Sequence, residues 1–358
     1  MSILNPKFAR AVTLNLFALR LSARRSIVPL AVRQPYARKW SQNKKGVVYM
    51  GIVELRAAYE ERRLGDATAL YEELAGNTDP EGHFWGGLAY WAQGRLVDSR
   101  GALETGLAAG PDNRMRLQML LVLGETLRES GNIGEAVDLL QRFTREVELE
   151  PDLARVAAAS GWYNLGLAYR QARRYADSID AYHRAAAWCR REEMPGLLRM
   201  ALQNLAWALT LAGELYQARA ALDEAQPLCT SVEAKDQQSL GEAFLAATAG
   251  DTVRASGVCA DLLRRSDALG AGILSHTYWV LGRMALASGD LRNARSLAVL
   301  AETHAEADRA HDSRTVADAS DLLREILIAE RGMRDETHHD GDSTGTGSVA
   351  GGGERGEC

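Results

Sequence analysis

The chain has 358 residues, 46% of them apolar and 25% charged, with a formal net charge of −5 and four cysteines. A chain of this length can bury a core without covalent staples. Its cysteines (Cys189, Cys229, Cys259 and Cys358) follow no C-x2-C spacing, which argues against both a disulfide framework and a zinc site. The charge is unevenly spread: residues 1–49 hold ten basic residues and no acidic one, leaving residues 50–358 at −15, the wrong sign for a nucleic-acid platform.

The first segment, residues 1–49, differs in kind from the rest of the chain. Four of the chain's five lysines lie before Met50, and only Lys235 lies after it. An Arg-rich, Ser-containing, acid-free stretch resembles a mitochondrial transit peptide, which would send the protein to the mitochondrial matrix. An upstream start codon explains the basic run and the lysine shift together and is the favoured reading, with a cytoplasmic protein whose fold begins near residue 50. The apolar run Ala11 to Leu19 is bounded by Arg10 and Arg20 and is too short to cross a bilayer.

From residue 50 onward a single pattern recurs. Turn signals stand at Gly65-Asp66, Gly94-Arg95, Gly131-Asn132, Arg173-Arg174, Gly213-Glu214, Gly250-Asp251 and Gly289-Asp290. After the first interval of 29 residues, the spacings are 37, 42, 40, 37 and 39. Glycine suits a helix C-terminus because it enters the left-handed conformation without a Cβ penalty. Seven residues before the turns come Gly87, Gly124, Gly166, Ala206 and Gly282. Five residues after them come Ser99, Ala136, Ser178, Ala218, Ala255 and Ala294. Small residues in register with a turn mark the crossing point of two helices, and Leu103, Leu140, Tyr182 and Leu222 would fill the gaps beside it. The first turn fits worst, because Leu70 stands where a small residue is expected. Pro111, Pro151, Pro195 and Pro227 fall between the repeats, where a proline ends the preceding helix.

The clearest unit is Trp162-Tyr163-Asn164-Leu165-Gly166-Leu167-Ala168-Tyr169, followed by Ser178, Tyr182 and Ala185. It reads W-x2-L-G-x2-Y and resembles the tetratricopeptide (TPR) repeat. The resemblance covers about residues 50 to 312, with spacings similar to long-repeat bacterial members of that family. It implies an all-α, right-handed superhelix (an α-solenoid) of about seven helix pairs. The helix expected over 313–331 would cap the last pair, and the Gly-rich residues 332–358 read as a disordered tail.

The resemblance also implies a non-catalytic scaffold that binds a protein or peptide partner in its concave groove; the alternative is a peptide-sensing regulatory receptor acting through a partner protein. First helices of the pairs would line the groove, which makes Tyr163, Asn164, Leu167, Arg170, Gln203, Asn204 and Trp207 the expected contact residues. Asn164 and Asn204 occupy one motif position. Carboxamides there donate and accept, and could clamp a peptide backbone or satisfy neighbouring helices. Arg170 could fork onto a carboxylate. The lysine-rich clamp of chaperone-binding members is not matched.

Other chemistry is missing from the sequence. No phosphate-binding loop, zinc-protease helix or nucleophile elbow appears, so no catalytic residues, cofactor or metal are expected. His338-His339-Asp340 has ligating residue types but sits in the expected tail, without the rigid surroundings a specific site needs.

Overall fold

A computed structural model describes residues 44–74, 79–149, 151–307 and 313–341. The described residues form helices and no strand. Seven successive helix pairs are followed by one long helix. The first pair is α1 (Lys44–Glu60) and α2 (Leu64–Glu73), the second α3 (Pro80–Ala92) and α4 (Leu96–Ala108). The third is α5 (Asn113–Glu129) and α6 (Ile133–Leu149), the fourth α7 (Pro151–Gln171) and α8 (Tyr175–Arg191). The fifth is α9 (Pro195–Leu211) and α10 (Leu215–Ala225), the sixth α11 (Val232–Thr248) and α12 (Thr252–Leu263). The seventh is α13 (Ala271–Ala287) and α14 (Leu291–Ala307), and α15 (Ser313–Gly341) closes the array.

Every pair reverses through the same turn. Gly94, Gly131, Gly213, Gly250 and Gly289 all have φ between 75° and 84°, and Arg173 holds the same left-handed region at 58°. The next residue's N–H reaches back to the carbonyl five residues earlier: Arg95 to Tyr90 at 2.9 Å, Asn132 to Leu127 at 2.9 Å, Arg174 to Tyr169 at 2.9 Å and Glu214 to Leu209 at 2.9 Å. That bond satisfies a carbonyl the helix end leaves open. In the first pair the turn is at Arg62 (φ 61°), with Arg63 N–H bonded to Ala58 O, and not at Gly65 as the sequence suggested. Gly65 is the second residue of α2. Counted from Arg62, the small residue five positions on is Ala67, fully buried, so the misfit at Leu70 disappears.

The helix crossings explain the small residues. Ala67, Ser99, Ala136, Ser178, Ala218, Ala255 and Ala294 all have 0% exposure. A Cβ on Gly87 would stand 2.7 Å from Leu103, one on Gly124 2.6 Å from Leu140, and one on Gly166 2.7 Å from the Tyr182 ring. Each glycine is the hole for the bulky residue of its own partner helix. In the last pair Gly282 instead faces Leu322 of α15, so the long helix completes the packing that a further repeat would supply. The core runs along the array as linked clusters, one pair handing over to the next, as a repeat architecture requires.

Both ends differ from the sequence reading. α1 begins at Lys44, six residues before the expected start of the fold; its first turn holds Gly46, which weakens a helix without ending it, and no proline. α15 continues to Gly341, ten residues beyond the expected cap, because residues 333–340 contain neither proline nor glycine. The rest of the N-terminal segment and of the tail lie outside the described residues. Pro151 and Pro195 open the next helix, where a missing N–H costs nothing, rather than standing in a loop.

Candidate partner-binding face

Curvature is set by which helices meet. Successive first helices (α1, α3, α5, α7, α9, α11, α13 and then α15) pack on one another, whereas successive second helices make no comparable contact. The first helices therefore form the compressed, inner side of the superhelix. α15 also reaches α5 across that inner side.

One part of the inner wall is closed by the chain itself. Trp207 on α9 packs against Phe244 of α11 (ring centroids 4.5 Å apart) and against Trp279 (5.7 Å) and His276 (5.0 Å) of α13. The Arg170 guanidinium of α7 lies 5.7 Å from the Trp207 ring and pairs with Asp318 of α15 at 3.3 Å. Asp318 also bonds His276 Nε2 at 3.2 Å, and its backbone carbonyl accepts from Trp279 Nε1 at 2.9 Å. Arg173 pairs with Asp321 and Arg283 with Glu325, which continues the line of carboxylates along α15. The adjacent stripe of α15, one residue further round the helix, buries Ala319, Leu322 and Ile326 against the last pair. α15 is thus an amphipathic strut: its apolar stripe caps α13 and α14, and its acidic stripe ties them to α7. On α5, Arg128 has only 1% of its side chain exposed and bonds Glu125 (2.6 Å) and Glu129 (2.7 Å), with Gln171 of α7 at 3.1 Å.

A second part of the wall, over the N-terminal halves of α9 and α11, is polar and only half-buried. Arg199, Gln203, Asn204 and Gln237 all have intermediate exposure. Arg199 Nη1 donates to the carbonyl oxygens of Gln203 (2.6 Å) and Gln237 (3.1 Å). Gln203 Nε2 donates to Ala234 O (3.2 Å) and Gln238 Oε1 (3.2 Å), and Gln238 Nε2 to Leu222 O (2.9 Å). The two helices are thereby joined by a run of carboxamides anchored on backbone carbonyls. Asn204 Nδ2 donates to Met200 O (3.0 Å) and to the Tyr163 hydroxyl (3.3 Å). Burial pushes the Arg199 guanidinium down from its ordinary value, since its near neighbours supply neutral acceptors and no bonded carboxylate.

A sequence profile described as tetratricopeptide repeat matches residues 53–114 and 121–192. Those two stretches are tetratricopeptide repeats. Among solved structures, the apo form of RapI superposes with a TM-score of 0.61 at 12% identity, covering 73% of this chain and 98% of RapI. A tetratricopeptide repeat protein from Parabacteroides merdae gives 0.55 at 15% identity, covering 79% and 99%. PilW, a type IV pilus biogenesis factor, gives 0.51 at 16% identity, covering 63% and 95%. At these identities the likeness is one of fold. A search of the curated proteins finds no match.

The seven residues expected in the groove divide into three groups. Tyr163 (2% exposed) and Leu167 (0%) belong to the core between the fourth and fifth pairs, not to a groove surface. A first helix is covered by its own partner and by the first helices on either side, so its free stripe is narrower than a helical wheel suggests. Arg170 and Trp207 do face inward, but both are buried and engaged by the chain's own α15 and aromatic cluster. Asn164, Gln203 and Asn204 remain half-buried on the inner side. Asn164 makes no side-chain hydrogen bond among the described residues, whereas Asn204 spends its donors on Met200 and Tyr163. Sequence reasoning missed Arg199 and Gln237. Arg199 was visible as the residue one turn before Gln203 on the same helical stripe. Among the described residues no cluster of three metal-ligating side chains exists, and no helix is long and apolar enough to cross a membrane.

Proposed function

We propose that this tetratricopeptide repeat protein is a non-catalytic scaffold that holds a protein or peptide segment against the half-buried polar part of its inner face. One observation carries the reading. The carboxamides of Asn164, Gln203 and Gln237 occupy an inner wall whose other part is packed with the chain's own aromatic and ionic groups. Carboxamides suit a peptide backbone because each offers both a donor and an acceptor. The free, buried thiols of Cys189, Cys229 and Cys259 favour work in a reducing compartment such as the cytoplasm. Affinity capture with the full chain tests the proposal. A partner held by the parent and by Tyr216→Ser, a change on an exposed outer residue, should be lost from a folded Asn164→Ala, Gln237→Ala double variant. Equal retention by all three would move the site off the inner face.

The bridge from Arg170 to Asp318 supports a second reading, a peptide-sensing regulator acting through a partner protein. It joins helices 148 residues apart in sequence, so a ligand that competed for it would change the pitch of the superhelix. Small-angle scattering on adding the captured partner separates the two: a scaffold keeps its radius of gyration and a sensor does not.

A further inference from the structure

We propose that the seventh helix pair and α15 form one arm hinged at Leu269 and Gly270. The ion pairs of Asp318 and Asp321 with Arg170 and Arg173 latch it shut. A side-chain hydrogen bond crosses each earlier junction between pairs. From the fifth pair, for example, Asn204 reaches back to Tyr163 (3.3 Å) and Gln203 forward to Ala234 O (3.2 Å). Between the sixth pair and the seventh, no hydrogen bond or ion pair crosses among the described residues. These two pairs meet through a shared apolar cluster, with the Phe244 and Trp279 rings 5.1 Å apart. Apolar contact has no direction, so one pair can roll on the other where hydrogen bonds would fix the angle.

The chain between these two pairs is also the longest described connector of the array. One residue separates α6 from α7 and three separate α8 from α9, but residues 264–270 separate α12 from α13. Ser266–Ala268 make a single 3-10 turn, Leu269 is extended, and Gly270 starts α13 without a side-chain cap. Arg265 pairs with Asp236 of α11 (2.9 Å), which fixes the first part of the connector to the sixth pair and leaves Leu269 and Gly270 as the joint. Beyond the joint the arm is one body. Leu322 fills the space beside Gly282, and Trp279 Nε1 donates to Asp318 O (2.9 Å). Among the described residues, the arm's hydrogen bonds and ion pairs to the rest of the array are those of Asp318 to Arg170 (3.3 Å) and of Asp321 to Arg173. Both run to the fourth pair, past the fifth and sixth, and the closed arm keeps Arg170 and Trp207 buried. Joint and latch need no partner, so they stand or fall apart from the scaffold reading.

The test measures distances by double electron–electron resonance in the full chain carrying Cys358→Ser. Nitroxide-bearing non-natural amino acids replace, two at a time, the exposed residues Val97 in the second pair, Ala176 in the fourth, Val253 in the sixth and Ser296 in the seventh. The latch is removed by Asp318→Asn with Arg173→Cys and Asp321→Cys. A short bismaleimide across the two new thiols then restores it, since Cys189, Cys229 and Cys259 are buried. The proposal expects the 176–296 distance to gain a second population in this variant and to lose it on crosslinking. The 97–176 and 176–253 distances should stay as in the parent. The Arg173→Cys, Asp321→Cys chain keeps the buried pair; it should show the same change in smaller proportion, and its response decides the matter if the triple variant does not fold. An unchanged 176–296 distance in the folded variant would overturn the latch. A change in 176–253 matching that in 176–296 would place the bend before the sixth pair and overturn the hinge.

Discussion

The strut formed by α15 makes a quantitative prediction through Asp318. Its carboxylate faces Arg170, whose side chain is 5% exposed, and it is itself 28% exposed. Replacing Asp318 by alanine leaves the guanidinium buried against the Trp207 ring without its anion. Removing one partner of a fully buried ion pair costs about 3–5 kcal/mol. The partial exposure of Asp318 and the 3.3 Å separation put this case at the low end, about 3 kcal/mol. Arg170→Met alone leaves Asp318 with His276 and partial access to water, and should cost about 1 kcal/mol. The double variant should then fall short of the sum of the singles by at least ~1 kcal/mol. Urea unfolding monitored by tryptophan fluorescence reads this directly, since Trp207 and Trp279 lie in the affected cluster. Asp318→Asn separates charge from packing. An Asp318→Ala cost under ~0.5 kcal/mol, or strictly additive singles, would mean that α15 does not bridge to α7 in solution.

Other expectations come from the packing and the buried groups. Gly166→Ala places a Cβ 2.7 Å from the Tyr182 ring and should destabilise by about 1–3 kcal/mol in the same titration, whereas Gly65→Ala, with open space around it, should be neutral or stabilising. The Tyr59 hydroxyl is buried with no hydrogen-bond partner among the described residues, so Tyr59→Phe should leave the unfolding midpoint unchanged or raise it; a clear drop would reveal a bond to that hydroxyl. Burial raises the Cys259 thiol from 9.0 to about 11 and the Cys189 thiol to about 12. The folded state therefore keeps these protons where the unfolded chain loses them. Stability should be unaffected by these groups below pH 9.0 and should decline as pH rises from there through about 11, less so in a Cys189→Ala, Cys259→Ala variant corrected for its neutral-pH loss.

The repeat was legible because its signals are backbone requirements and close contacts. A left-handed turn selects glycine, and a helix crossing selects a small residue, wherever they fall in the fold. The first turn misled because Arg62 takes the left-handed conformation that glycine usually holds, and Gly65 nearby offered a false register. Arg173 posed the same problem but stood beside an unmistakable motif. The inner face was harder to read. Position on a helical wheel places Tyr163 beside Asn164, yet the covering helices put one in the core and leave the other half-buried. The closure by α15 depends on pairs such as Arg170 with Asp318, 148 residues apart, which no local pattern encodes. Its only sequence trace is an acidic stripe at Asp318, Asp321 and Glu325, offset from the apolar Ala319, Leu322 and Ile326.

The most direct test of the partner-binding face is photo-crosslinking in extracts of the source organism, with a benzophenone amino acid placed in the full chain at Asn164 on the inner side or at Tyr216 on the outer. Recognition by the inner face predicts a discrete protein or peptide adduct from position 164 and none from position 216. An adduct from position 216 alone would contradict it and assign recognition to the convex surface.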